Sequence, residues 1–163
     1  MLRALTLIAT LAAPAALALP AMAQDVAFGG MQADTSAPVE IGADALSVDQ
    51  GTGAATFTGN VVIGQGQMRL AADKVAVTYA QGDQRKIKSL HATGKVALVS
   101  GQDAAEAQDA VYDVESGNVK LSGDVIITQG TNVMSGETMN LNLKSGTAQV
   151  SGRVRTILQP GSN

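Results

Sequence analysis

The chain has 163 residues, a formal net charge of −3, and neither cysteine nor tryptophan. This length is typical of one domain, and without disulfides its stability must come from backbone pairing and apolar packing. Aromatic residues make up only 2% of the chain. An acidic chain with so few aromatic rings lacks the cationic surface and stacking platforms of nucleic-acid-binding proteins, which argues against that class.

Residues 1–23 have the pattern of a cleavable secretory signal peptide. Arg3 supplies the positive start, an alanine-rich apolar stretch covers residues 5–19, and Ala21-Met22-Ala23 is a small-x-small cleavage sequence. We expect cleavage between Ala23 and Gln24. The alternative is an uncleaved membrane anchor, which the prolines within the segment and the cleavage sequence disfavour.

The remaining chain divides into three parts. Residues 24–37 contain small and polar residues, with two glycines at 29 and 30, and they predict a flexible N-terminal lead. The ordered domain is predicted over residues 38–158. Residues 159–163, which contain Pro160 and Gly161, are predicted to form a short C-terminal tail.

A glycine-led phrase recurs along the domain at a nearly constant spacing. Its copies begin at Gly59, Gly94, Gly123 and Gly152. The last two intervals are both 29 residues, and the first is longer by a six-residue insertion at 84–89. A period of this size with alternating valines is typical of a stacked β-repeat.

Within each repeat, apolar residues alternate with polar ones as in half-buried β-strands. The alternation predicts roughly three short strands per repeat, joined at glycine-bearing corners. Since one repeat cannot bury its own apolar face, we expect either a closed β-helix or a sheet folded lengthwise into a jelly-roll-like slot. The residues predicted to line this interior are Phe57, Val61, Ile63, Leu70, Val75, Val77, Val96, Leu98, Tyr112, Val125, Ile127, Met139 and Leu141.

Several phrases, taken in order and spacing, resemble the OstA-type domain family. They include Phe57-Thr58-Gly59-Asn60-Val61, Ala92-Thr93-Gly94-Lys95-Val96 and the stretch from Leu70 to Tyr79. The resemblance covers residues 38 to 157. It implies an all-β fold, in which stacked antiparallel strands form a twisted β-jelly-roll around an elongated, slightly open slot.

The resemblance also implies a function in outer membrane biogenesis. A periplasmic protein of this kind binds lipopolysaccharide and carries it from the inner to the outer membrane, with the acyl chains of lipid A inside and the sugars outside. Copies join head to tail into a bridge, which starts at an inner-membrane partner, LptC, and ends at an outer-membrane partner, LptD. An ATPase at the inner membrane supplies the energy, and no cofactor is implied.

The two ends of such a stack are expected to present unpaired backbone groups. The predicted edge strands carry little charge to protect them, so a strand from a second copy or a partner is expected to add there. A head-to-tail contact of this kind does not close and produces filaments. The alternative is that the termini cap the edges. The predicted edge residues are Ile41, Leu46, Val150 and Val154.

No constellation of polar residues points to catalysis, so we predict a protein that is not an enzyme. His91 is the only histidine and cysteine is absent, so no zinc ligand set is expected. A basic cluster in and after the insertion either meets the phosphates of lipid A or is a solvated hairpin. Its members are Arg85, Lys86, Lys88, His91 and Lys95.

Two other functional classes remain open at this point. A β-helical polysaccharide lyase needs charged residues aligned on one exposed face across successive repeats, and the outward residues here do not align in that way. A structural or adhesive β-repeat filament with a dry core has the same strand pattern. Lipid binding distinguishes it from the transport hypothesis.

Overall fold

A computed structural model of the chain describes residues 25–27 and 31–158, with side chains from Met31 onward. The predicted signal peptide, its cleavage site at Ala23 and Gln24, and the predicted tail at 159–163 lie outside these residues. In the described part, every regular element is a β-strand. No helix there has the length and apolar character needed to cross a membrane.

Eleven strands of the described residues form a single sheet. They are β1 (Asp25–Ala27), β2 (Glu40–Gly42), β3 (Ala45–Val48), β4 (Ala55–Gln65), β5 (Met68–Ala80), β6 (Asp83–Ser100), β7 (Asp103–Asp113), β8 (Asn118–Gln129), β9 (Asn132–Asn142), β10 (Thr147–Ser151) and β11 (Arg155–Ile157). Their order is β1-β10-β9-β8-β7-β6-β5-β4-β2, with β3 also on β4 and β11 also on β9.

Every pair of neighbouring strands in this sheet is antiparallel. A β-helix is built from parallel strands, so the antiparallel pairing decides for the folded sheet over the closed β-helix. The prediction of three short strands per repeat is wrong. Strands β4 to β9 are 11 to 18 residues long, and each repeat contributes two of them.

The repeats have fewer strands than predicted because a bulge interrupts the pairing within a long strand without ending the strand. The pairing of β4 with β5 shifts between Thr58 and Val61, where Gly59 has φ +80° and Asn60 has φ +45°. Residues in the left-handed region usually are glycine, because a side chain there costs about 1–2 kcal/mol. The same left-handed pair recurs at residues 94–95, 123–124 and 152–153.

At each of these glycines, the neighbouring segment of the sheet places a polar side chain directly over the glycine. A Cβ atom at Gly94 would lie 2.7 Å from a carboxylate oxygen of Asp73 and 3.0 Å from its Cβ. Asp44, Gln108 and Glu137 stand over the other three glycines in the same way. Glycine is therefore required at these positions by close contact as well as by backbone conformation.

At three of the four glycines, the polar residue also bonds to the residue that follows the glycine. The Asn60 amide donates to Asp44 at 2.8 Å, and the Arg153 Nε donates to Glu137 at 2.9 Å. In the third repeat the roles are exchanged, because the Gln108 amide donates to Asp124 at 2.7 Å. Gln108 departs from the acidic pattern of the sequence, and Asp124 compensates by supplying the carboxylate.

Candidate functional site

Most of the inward-facing side chains form three rows that run across the strands along the length of the sheet. The rows follow from the strand register. The first row is Ile41, Ile63, Leu70, Leu98, Ala105, Ile127, Met134 and Thr156. The second row is Leu46, Phe57, Val75, Ala92, Ala110, Leu121, Met139 and Val150. The third row is Val48, Ala55, Val77, Leu90, Tyr112, Val119, Leu141 and Ala148.

The predicted interior residues face inward in the structure. Twelve of the thirteen are buried, with at most 2% of each side chain exposed, and Phe57 is half-buried against the same core. Val125 is fully buried, whereas the adjacent Ile126 is 43% exposed on the outer face. The inside and outside faces of the strands are thus as predicted, while binding of a lipid to these residues stays a prediction.

The hairpin turns of the folded sheet lie along two rims. One rim carries the turns at Gly66, Gly101 and Gly130, and the other carries those at Gly53, Gly82, Gly117 and Gly146. Tyr112, near the second rim, donates its hydroxyl to Oε1 of Gln65 on the first rim at 2.6 Å. We call the line along which the two rims approach each other the seam. Burial of Tyr112 raises the pKa of its phenol above the usual 10.

Part of the predicted flexible lead runs along this seam, which differs from the sequence expectation. Strand β1 pairs with β10 at one end of the strand order and β2 pairs with β4 at the other, so the connection between them spans the sheet. We call residues 31–37 the strap. Met31 is fully buried, and the strap alternates inward and outward residues like a strand.

At the β2–β3 end, the apolar rows reach an open edge. Leu46 and Val48 begin the second and third rows, yet 58% and 57% of their surfaces are exposed, because no further strand covers them. Ile41 begins the first row and is half-buried. Two of the predicted edge residues, Ile41 and Leu46, therefore lie on an edge strand.

At the other end, the outcome is mixed. Val154 is exposed, but Val150 is buried, with 5% of its surface exposed. The side chain of Val150 is buried because it lies in the second row, opposite Met139. Strand β10 is also partly covered, since residues 25–27 of β1 pair with 147–149. Strand β11, which pairs with β9 on one side, is the exposed strand there.

The basic cluster does not converge on one point. Arg85 pairs with Asp83 at 3.4 Å, Lys86 lies 3.9 Å from Glu115, and His91 contacts Asp109 at 2.6 Å. These pairs are largely exposed and contribute little to stability. Lys88 is exposed, and Lys95 is the residue after the glycine in the second bulge. Among the described residues, no three histidine or carboxylate side chains are grouped to hold a metal ion.

Comparisons with known proteins agree with this architecture. Residues 40–147 match the family described as the LptA/(LptD N-terminal domain) lipopolysaccharide transport protein. The chain belongs to this family. It is 30% identical to the lipopolysaccharide export system protein LptA of Escherichia coli, over 88% of this chain and 83% of that protein. It is also 31% identical to an uncharacterized protein of Rhizobium meliloti, over 94% of this chain and 87% of the relative.

A solved structure of a family member has the same fold. LptH of Pseudomonas aeruginosa, described as the LptA-homologous periplasmic component of the lipopolysaccharide transport device, superposes with a TM-score of 0.70. The match covers 78% of this chain and 99% of LptH at 18% sequence identity. The resemblance to OstA-type, LptA-like proteins and the predicted all-β jelly-roll are thereby confirmed.

Proposed function

We propose that this protein is a periplasmic bridge protein for lipopolysaccharide, which shields the acyl chains of lipid A between the inner and outer membranes. Membership of the LptA/LptD N-terminal-domain family supports the role. The observation that carries the proposal in this chain is the set of three apolar rows, which continue across every long strand.

The rows suit an acyl chain in both energy and shape. Transfer of one methylene group from water to apolar surroundings contributes about 0.8 kcal/mol, so ten buried methylenes contribute about 8 kcal/mol. The lining is mostly valine, leucine, isoleucine and alanine, with little to distinguish one position from the next. Such a lining holds the chain out of water without a deep local minimum, and the lipid can therefore slide along it.

The interior is packed, so it must open before a lipid can occupy it. The side chains of the rows are in contact with one another and are almost completely buried between the edges. We infer that the two rims separate along the seam, because the backbone pairs within the sheet need not break for that movement. The sugars of the lipid then remain outside while its acyl chains lie inside.

The ends of the sheet supply the proposed contacts with other molecules. Strand β3 exposes the first members of two apolar rows, and β11 exposes its backbone on the side away from β9. Addition of a strand to either edge continues the rows into the next molecule. We propose head-to-tail self-association of this chain, with an LptC-like partner at the inner membrane and an LptD-like partner at the outer membrane.

A structural filament with a dry core would have the same packed interior. One experiment distinguishes lipid transport from that structural role. A photo-crosslinkable residue is placed at Val125, inside, and in a matched variant at Ile126, outside, in living cells. A lipopolysaccharide adduct from position 125 alone supports the conduit. Absence of adducts at 125 in an exported, folded protein supports the dry-core filament.

A further inference from the structure

The apolar interior contains a short line of buried polar side chains, all on the first rim. Gln65, Ser100 and Asp103 are 1%, 1% and 4% exposed, and they are the buried polar or charged residues among those described. Gln65 lies at the turn of Gly66, and the other two flank the turn of Gly101. Burial of a polar group is unfavourable unless it is hydrogen-bonded. The hydrogen-bond partners of these three side chains therefore show which segment of the chain they bind.

The strap supplies most of those partners through its backbone. The amide nitrogen of Gln65 donates to the carbonyl oxygens of Thr35 and Ala37, each at 3.0 Å. The hydroxyl of Ser100 donates to the carbonyl oxygen of Gln32 at 2.9 Å. The strap thus presents a series of amide carbonyls to donors that line the seam.

The strap also contributes apolar side chains to the core. Met31 is part of the core, and Ala33, together with Val39 just after the strap, packs against it. The opposite rim holds the strap as well, since the backbone nitrogen of Ala33 donates to the carbonyl of Leu143 at 3.1 Å. The strap thus combines carbonyls bonded at the seam with apolar groups in the core, and an acyl chain offers the same two features at its ester or amide linkage.

We propose that the seam is the binding site for the acyl linkages of the lipid, and that the strap occupies this site in the unloaded protein. Gln65 and Ser100 then donate to the ester and amide carbonyls at the heads of the acyl chains instead of to the strap carbonyls. The inference rests on the proposed function, because it takes lipid A as the occupant. The strap and the lipid compete for the same donors and the same interior volume.

A disulfide that fixes the strap tests the competition directly. A Cβ atom at Gly66 would lie 3.5 Å from the Cβ of Asp34, which is within the range of disulfides. The natural chain has no cysteine, so the double variant Asp34→Cys, Gly66→Cys forms one defined bridge. The reduced form has the same sequence, so it serves as the matched control. It accounts for the cost of placing a side chain at position 66, where the backbone is left-handed.

The measurement is binding of purified lipopolysaccharide to the oxidised and reduced forms of the folded protein. We expect the oxidised form to bind about tenfold or more weakly, with affinity restored by reductant. Equal affinity in both forms overturns the role of the strap while leaving the proposed function intact. If neither the reduced form nor the natural chain binds lipopolysaccharide, the proposed function fails, and the inference fails with it.

A second variant does not depend on the bridge. Met31→Ala removes the buried anchor of the strap without changing the donors on the rims, and we expect it to increase affinity for lipopolysaccharide several-fold. The volume-conserving Met31→Leu is its control and should bind like the natural chain. Unchanged or weaker binding by Met31→Ala contradicts the competition.

Discussion

The bulge glycines provide a quantitative test of how the repeats determine the fold. Gly94 and Gly82 have the same φ of +80°, but their surroundings differ. A Cβ at Gly94 would lie 2.7 to 3.1 Å from three atoms of Asp73, whereas a Cβ at Gly82 would meet no atom within 4 Å. Substitution by alanine at the two sites therefore separates the cost of backbone conformation from the cost of crowding.

Gly82→Ala should lower the free energy of unfolding by about 1–2 kcal/mol, which is the cost of a side chain in the left-handed region. Gly94→Ala carries the same cost and a further crowding cost of about 1–3 kcal/mol, because the Cβ of Asp73 is fixed to its backbone. The total is a large part of the stability of a domain of this size.

Urea unfolding followed by circular dichroism measures both variants against the natural chain. The natural chain should have the highest urea midpoint, Gly82→Ala a lower one, and Gly94→Ala the lowest. If the free energies of unfolding of the two variants agree within about 0.5 kcal/mol, Asp73 does not restrict the bulge. Contact with Asp73 would then not explain why position 94 is glycine.

Two further predictions concern the seam and the exposed edge. Tyr112→Phe leaves Oε1 of Gln65 without its donor in the interior and should cost about 1–3 kcal/mol in urea unfolding; a loss below about 0.5 kcal/mol would refute the role of this bond. Because burial raises the pKa of Tyr112 in the folded state, the contribution of this group to the stability of the natural chain is fully present below pH 10. That contribution is lost as pH rises through the folded-state pKa, and the Phe variant should not show the loss. Leu46→Lys places a charge on the open edge strand and should abolish concentration-dependent self-association in sedimentation, while Val62→Lys, on the outer face of β4, should not. Equal self-association of both variants would place the contact elsewhere.

The interior could be predicted from the sequence because its signal is local and repeated. Alternation of valine, leucine and isoleucine with polar residues indicates which face is buried. The phrase occurs in four copies, and each copy places its apolar residues at the same positions after the leading glycine. Val125 and Ile126 illustrate this, since adjacent positions were assigned to opposite faces and lie there.

The bulges were missed because their second residue carries no obvious signal. Asn60, Lys95, Asp124 and Arg153 share a left-handed backbone but no common chemistry. The signal that could have identified them is the pairing with the polar residue of the preceding strand, in which Asn60 complements Asp44 and Arg153 complements Glu137. Propensity alone gives no reason to place lysine or arginine at a positive φ.

The strap was missed for a different reason. Apart from Met31, its residues are small or polar, and their alternation becomes meaningful only when partners distant in sequence are known. Gln32 meets Ser100, which is 68 residues away, and Ala33 meets Leu143. A local pattern cannot encode such contacts, so the same segment was expected to be a flexible lead.

The central claim is that the apolar rows form one continuous path for lipid. Photo-crosslinkable residues at Ile63, Leu98 and Ile127 sample the first row on three different strands, and Val62, Val99 and Ile126 are their outward-facing neighbours. In cells that export lipopolysaccharide, we predict lipid adducts at all three inward positions and at none of the outward ones. Adducts at one inward position alone, or equal adducts on both faces, would contradict a continuous interior path.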